Sequence, residues 1–306
     1  MINILEFKKN FKKIEDSLKS KRIVIIYGGF SEEREASIYS GDKVCEELSN
    51  KMFKVLKIDP LKQDLCKVLD KKNDIAFNCL HGEFGESGHL PAILDYLKVP
   101  YTFSGLYPSV VTLDKIYFKS ILKKLNILCP DDSYDKHPYH KNGERIFIHK
   151  KIRGGGSIGM HLAKDIKSEQ GYFAEEFIEG NLLTLGILEY QGNYIPLGIV
   201  RVELGKKSFY DTQAKYETGF SKYNCYNGCK QDKIIEDAIA ISSFLKIKSC
   251  ARLDLIEKDD KLYYIELNTV PGLYKKSNLV FSAKISGLSF YELLIWILNA
   301  VDYQKL

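Results

Sequence analysis

The chain has 306 residues, 45% of them hydrophobic and 28% charged. That composition excludes a disordered or collagen-like chain and leaves room for two or three domains. The charge balance is +5, but only Arg22, Arg34, Arg145, Arg153, Arg201 and Arg252 are arginines, and the lysines run along the whole length. Basic residues that cluster on no one element read as a solvated surface, so no nucleic-acid partner is expected. Seven scattered cysteines, an odd number, fit the reduced thiols of a cytoplasmic protein. Cys225 and Cys229 lack a second pair or a nearby His and read as loop thiols, not a zinc site. No apolar run approaches the roughly 18 residues of a membrane span, and the N-terminus has no secretory signal pattern. A cytoplasmic protein with no membrane partner is expected.

Ile4, Phe7, Phe11, Ile14 and Leu18 recur at spacings of three and four, which predicts an amphipathic helix over 1–20 packed onto the body. Strand and helix then alternate: strand 23–27, helix 32–48, strands 52–58 and 75–80, helix 90–97 and a short strand near 99–102. This pattern predicts a parallel α/β domain with ligands at the strand C-terminal ends. A Lys-rich helix over 115–125 follows. Residues 133–147, polar and rich in His, Lys and Tyr, read as a connector or domain boundary. Beyond it, strands are predicted at 147–152, 160–163 and 172–178. A sheet over 184–202 is broken at Gln191-Gly192-Asn193. The last third gives a helix at 232–245, a strand pair at 249–256 and 262–267, and a closing helix at 290–301.

Four constellations carry chemistry. In the strand pair, Arg252 and Asp254 share one face, as do Glu266 and Asn268. A three-residue loop at 259–261 would set 254 opposite 266 and 252 opposite 268, with Leu253, Leu255, Ile265 and Leu267 behind. Two carboxylates and an amide oxygen suit Mg²⁺, while a salt-bridged sheet face accounts for the same residues equally well. The second constellation is Arg153-Gly154-Gly155-Gly156-Ser157-Ile158-Gly159 after Lys150, a loop whose N–H groups can approach an anion. It lacks the G-K-[ST] of a P-loop, and a flexible hairpin tip is the plain alternative. The third is Gly28-Gly29-Phe30-Ser31-Glu32-Glu33-Arg34-Glu35-Ala36-Ser37 after the first strand. Its acids suit a helix start, and Glu33 would repel phosphate and so favour an amine. The fourth is His81-Gly82-Glu83-Phe84-Gly85-Glu86-Ser87-Gly88, a turn-rich loop where α/β ligand sites sit.

Taken in this order, these segments resemble the D-alanine–D-alanine ligases of the ATP-grasp superfamily. Tyr101-Thr102-x-Ser104-Gly105, Asp114-Lys115, Tyr210-Asp211-x-x-Ala214-Lys215-Tyr216 and Glu266-x-Asn268-x-x-Pro271-Gly272 extend the likeness to the C-terminus. The resemblance implies an α/β protein, α+β in its central part, with an N-terminal parallel α/β domain and ATP-grasp architecture. The implied divisions are a helix at 1–20, a substrate-binding domain at 21–114, a shortened central subdomain at 115–182 and a C-terminal domain at 183–306 with a lid. It implies ATP bound by Lys115, Lys150, Gly155, Gly156, Ser157, Glu175, Phe177, Ile178, Phe209 and Lys215. Two Mg²⁺, replaceable by Mn²⁺, would be held by Asp254, Glu266 and Asn268. The implied catalytic set is Glu33, Ser157, Tyr216, Arg252, His81 and Gly272. Glu33, Ser37, His81, Arg252, Gly272, Ser277 and Asn278 would meet the small-molecule substrates. The reaction so implied joins two D-alanines through an acylphosphate for peptidoglycan synthesis, in a protein that forms a homodimer.

The chain departs from the family pattern at several places. Leu182 stands where a Glu usually holds the ribose, Glu176 where a Lys near adenine is usual, and Phe103 and Ser87 replace other residues. After Gly272 the usual Ser-His-Ser-Leu reads Lys275-Lys276-Ser277-Asn278. The central part leaves little room for helices at 133–146 and 164–171. These changes motivate an alternative acceptor such as D-serine. The intact Lys150, Asp254, Glu266 and Asn268 argue against a catalytically silent ATP-binding homologue.

Overall fold

A computed structural model describes residues 4–132, 146–164, 170–203, 222–274 and 277–301. Its first part contains α1 (Ile4–Lys19), β1 (Arg22–Ile26), α2 (Arg34–Asn50), β2 (Lys54–Ile58), α3 (Leu65–Val68) and β3 (Asp74–Asn78). Three further helices follow, α4 (His89–Leu97), α5 (Leu106–Leu113) and α6 (Lys115–Lys124). The strands form a parallel sheet in the order β2-β1-β3. Ile23 through Ile26 are all fully buried, as a parallel strand covered on both faces must be. Val24 and Ile26 pack with Leu90, Leu94 and Tyr101, while Ile23 and Ile25 face the opposite core with Phe77. The strand expected near 99–102 is a single parallel bridge from Tyr101 to Ala76.

The second part is an antiparallel sheet in the order β5-β4-β6, made of β4 (Phe147–Lys151), β5 (His161–Ala163) and β6 (Tyr172–Glu176). The third holds β7 (Asn181–Tyr190), β8 (Asn193–Pro196), β9 (Val200–Glu203), β10 (Lys222–Cys225), α7 (Gln231–Leu245), β11 (Cys250–Lys258) and β12 (Lys261–Asn268). It closes with α8 (Asn278–Ile285) and α9 (Phe290–Asn299). Its antiparallel sheet runs β10-β9-β7-β11-β12, with β8 on β7. The break at Gln191-Gly192 is where expected, and both residues have positive φ, 52° and 79°, as a type I′ hairpin turn requires.

The apolar stripe of α1 packs as its spacing predicts. Phe7 lies 4.7 Å from the Trp296 ring and Phe11 lies 5.6 Å from Tyr291, both on α9. Leu293, Ile297 and Trp296 of α9 share one core with Ile23, Ile25 and Phe77, so the last helix closes back onto the first sheet. Among the described residues no single helix is long and apolar enough to cross a membrane.

The β11–β12 hairpin reaches its expected register by a different route. The loop has two residues, Asp259 and Asp260, both with positive φ, and Lys258 pairs with Lys261. A regular ladder from that turn would set Asp254 opposite Ile265 and send Glu266 to the core face. Instead the pairing shifts between Asp254 and Leu255, so that Leu255 pairs with Tyr264 and Asp254 with Glu266. Ile265 is the extra residue, a β-bulge. It lines a cleft and does not join the core, and Tyr264, 1% exposed, takes the core position.

Candidate active site

The site is built from the ends of elements of all three parts. The loop after β1 is shaped by Arg34, whose guanidinium donates to Asp59 Oδ2 at 2.6 Å and to the Gly29 carbonyl at 2.8 Å. That hydrogen-bonded cation holds the Asp59 carboxyl down to a pKa of about 2. Glu33 immediately precedes α2, and its carboxylate reaches across to the glycine-rich loop between β4 and β5. A Cβ added at Gly155 would lie 2.6 Å from Glu33 Oε1, and one at Gly156 2.9 Å from Oε2. Gly156 also has φ +62°. A side chain at Gly155 would therefore displace the Glu33 carboxylate, and Gly156 is favoured as glycine for its backbone as well.

The loop is tied to α6 at its base. Asp114 caps α6 by accepting from Ile116 and Tyr117 N–H, and it also accepts from Arg153 Nε at 3.1 Å. Lys115 Nζ donates to the Gly154 carbonyl at 2.5 Å. Lys151 pairs with Glu32 from the loop before α2, so the glycine loop is held from two sides.

Beneath this loop a cleft with about 1060 Å³ of open space, mouth included, lies between the second and third parts. Lys115, Lys150, Gly155, Ser157, Glu175, Phe177, Ile178, Asp254 and Glu266 line it, which gathers most of the expected nucleotide-binding residues. Its walls include the apolar Ile148, Met160, Leu182, Ile256 and Ile265. Leu182 does face this cleft, as do Glu176 and Glu179. Lys150 Nζ lies 2.5 Å from Glu175 Oε1. Burial opposes the charge on Glu175, but Lys150 and Lys119 together hold its pKa below the usual range.

A second, smaller pocket is lined by Glu33, His81, Glu86, Gly155, Gly156, Arg252, Asn268, Gly272, Tyr274, Ser277 and Asn278. It meets the first at Gly155. His81 is 7% exposed, with Nε2 3.0 Å from Ser40 Oγ and Nδ1 3.5 Å from Glu86 Oε1. Burial alone would push the imidazole down, but the Glu86 hydrogen bond and the charges of Glu86 and Glu33 raise it above its ordinary value. Ser277 caps α8, accepting from Val280 N–H. Asn278, the first residue of α8, is 5% exposed, and its Oδ1 has no hydrogen-bond partner among the described residues.

Between the two pockets stands the β11–β12 face. Arg252 grips Asp254 through Nε and Nη2 at 2.9 and 2.7 Å and lies 3.6 Å from Glu266. Thr184 Oγ1 donates to Asp254 Oδ1 at 2.5 Å, and Asn268 Nδ2 lies 3.4 Å from Glu266 Oε1. Burial raises the Asp254 pKa, Arg252 opposes this, and Glu266 adds to it. Among the described residues one guanidinium faces two carboxylates, Asp254 buried and Glu266 half-buried, and both are hard oxygen donors. That chemistry fits a divalent cation sharing its remaining ligands with phosphate.

Ser37 does not join the pocket. Its buried hydroxyl accepts from Gly28 N–H and donates to the Cys79 carbonyl, both at 2.8 Å, stitching the ends of β1 and β3 together. Phe209, Lys215, Tyr216, Lys275 and Lys276 lie outside the described residues, as do most of the lid and the connector. Ser40, Thr184 and Tyr274 were not singled out from sequence, and Glu86 was quoted in its loop without a role. A carboxylate in the His81 loop is the one sequence signal that could have found any of them.

Residues 148–299 match a family model described as the D-alanine–D-alanine ligase C-terminus. A D-alanine–D-alanine ligase of Aquifex aeolicus is 33% identical over 298 residues, covering 89% of this chain and 98% of that protein. One from Rickettsia typhi is 31% identical over 311 residues, covering 96% of each. A solved D-alanine–D-alanine ligase of Bacillus anthracis superposes with a TM-score of 0.73 at 25% identity, covering 92% of this chain and 97% of that one. A second structure of the Bacillus anthracis ligase, complexed with ATP, superposes at 0.72 and 24% identity over 92% and 96%.

Proposed function

The chain belongs to the D-alanine–D-alanine ligase family, and from that premise we propose that it is an ATP-dependent ligase joining two D-alanines. The products are D-alanyl-D-alanine, ADP and phosphate. The observation that carries this reading is the meeting of the two pockets at Gly155, with Arg252, Asp254, Glu266 and Asn268 at the junction. A phosphate at the end of the cleft and a carboxylate in the pocket would come together there, and positioning supplies much of the rate in phosphoryl transfer.

In this reading the carboxylate of the first D-alanine attacks the γ-phosphate of ATP to form an acylphosphate. The amine of the second then displaces phosphate and forms the peptide bond. Lys115 and Lys150 neutralise phosphate oxygens, with Lys150 turning from Glu175 toward the phosphate. Glu33 takes the ammonium of the first D-alanine, and His81, fixed by Ser40 and Glu86, shapes that end of the pocket. Arg252 and the Gly272 backbone aim donors at the oxygen that becomes negative when the amine attacks. Ser277, at the N-terminus of α8, meets the second carboxylate. Asp254, Glu266 and Asn268 would hold Mg²⁺, which supplies charge neutralisation on the transferring phosphate. Phe209, Lys215 and Tyr216 complete the proposal as lid residues, and the proposal extends to a homodimer, a cytoplasmic location and a role in peptidoglycan synthesis, each supported by family membership alone.

A second reading keeps the mechanism and changes the acceptor. Asn278 Oδ1 is buried in the small pocket without a donor among the described residues, and leaving such a group unmet costs about 1–3 kcal/mol. An acceptor amino acid with a hydroxyl side chain would satisfy it. Phosphate release from Mg²⁺-ATP with single amino acids, with mass detection of the dipeptide, separates the two. Turnover with D-alanine alone supports the first reading. Turnover only when D-serine or another amino acid is added moves the protein to the second.

A further inference from the structure

Lys119 is a buried charge for which the reaction has no direct use. It sits on α6, is 2% exposed and is not among the residues that line the cleft. Its ammonium contacts Glu175 Oε2, donates to the Pro130 carbonyl at 2.6 Å, and lies 5.5 Å from the Phe173 ring centroid. Glu175 is therefore clamped between two lysines, Lys119 behind through Oε2 and Lys150 in the cleft through Oε1. Among the described residues, the ionisable groups near the clamp include Asp132, 3.9 Å from Lys119, and the buried thiol of Cys129.

The two lysines differ in what they can do. Lys150 lines the cleft, whereas Lys119 does not. If Lys150 turns from Glu175 toward a phosphate, as the proposed function has it, Glu175 keeps only Lys119 as a cation partner among the described residues. A buried carboxylate that lost its last partner would take up a proton or move, because an unpaired charge in the interior is strongly disfavoured.

We propose that Lys119 is a positioning residue for nucleotide binding: it keeps the Glu175 carboxylate paired and in place, and so frees Lys150 to exchange Glu175 for a phosphate. The inference rests on the proposed role of Lys150 and adds to it a residue that touches no substrate. It makes Lys119 matter chiefly when nucleotide is bound, since Lys150 satisfies Glu175 in the free protein.

The test is calorimetric titration of the full-length protein with Mg²⁺ and a non-hydrolysable ATP analogue, in two buffers of different ionisation enthalpy. Wild type, Lys119→Met, Lys119→Arg, Glu175→Gln and the Glu175→Gln/Lys119→Met double variant are compared. Lys119→Met is expected to weaken binding about tenfold or more and to take up additional protons on binding, while Lys119→Arg stays within about threefold of wild type. In the Glu175→Gln background the Lys119 change is expected to add less than about twofold, because contacting groups couple. Unchanged affinity in Lys119→Met, or the same loss with and without Glu175, overturns the proposal. So does a Lys119→Met protein that fails to fold, which would make the lysine structural. Wild-type protein that does not bind the analogue at all would instead overturn the proposed function.

Discussion

Glu33 and Gly155 approach so closely that a Cβ at position 155 would stand 2.6 Å from Glu33 Oε1. A carboxylate from the first part of the chain is thus seated in the glycine loop of the second, where the two pockets meet. Gly155 is not among the positive-φ glycines, so alanine fits its backbone and tests the contact alone. Gly155→Ala is expected to lower kcat/KM for D-alanine at least about tenfold with little change in melting temperature, since the reacting groups are displaced by a few tenths of an ångström. Steady-state kinetics with a thermal melt checks this.

Thr184 holds Asp254 from the strand next to it. Its hydroxyl donates to Oδ1 at 2.5 Å, so Thr184→Val removes an orienting hydrogen bond from a proposed Mg²⁺ ligand while keeping the side-chain shape. Partners of this kind are worth about tenfold to a hundredfold in metal affinity or activity. The Mg²⁺ concentration for half-maximal activity is expected to rise accordingly, with the D-alanine dependence shifting less. A variant with a wild-type Mg²⁺ titration would remove Thr184 from the account.

The Arg34–Asp59 pair makes the first part of the chain sensitive to acid. Asp59 has a folded pKa of about 2 against an ordinary 3.8, chiefly because Arg34 hydrogen-bonds its charged form. A depressed carboxyl contributes stability that is present above about pH 4 and lost as the pH falls toward 2. Arg34→Met is expected to move the acid-unfolding midpoint to higher pH. Circular dichroism across pH 2–6 reads the shift, and an unmoved midpoint would contradict it.

The two-residue turn Asp259-Asp260 holds both aspartates at positive φ. Glycine tolerates that conformation better, so Asp260→Gly is expected to stabilise the protein by about 0.5–1 kcal/mol. Activity should be unchanged, because the turn lies at the far end of the hairpin from Asp254 and Glu266. A urea melt and a rate assay check both statements.

The polar face of this hairpin was readable from sequence because side chains alternate strictly along a strand. Its cause was not readable: a two-residue loop and a bulge at Ile265 give the same pairing as the three-residue loop that alternation alone suggests. Bulges leave no periodic mark, since they interrupt the period itself. The same limit hid α5 and α8, whose polar residues are buried by caps and neighbouring elements and blur any helical stripe. For Ser37 the sequence shows the motif but not how its hydroxyl is used. Its place in a motif was right, but its hydroxyl is consumed between two backbone groups. Lys119 was invisible because one lysine in a Lys-rich helix reads as solvated, and only the fold shows it turned inward onto Glu175. The pocket residues Glu33, His81, Arg252 and Ser277 were legible because each stands in a motif dense enough to be matched as a whole.

The central claim is that a D-alanine carboxylate attacks ATP at the junction of the two pockets. The most direct test is to supply D-alanine labelled with ¹⁸O in its carboxylate, together with Mg²⁺ and ATP, and to weigh the phosphate released. Attack by the carboxylate and displacement by the second amine predict one ¹⁸O atom in each phosphate formed with D-alanyl-D-alanine. Phosphate released without label would mean that water, not D-alanine, takes the phosphoryl group, and would contradict the account.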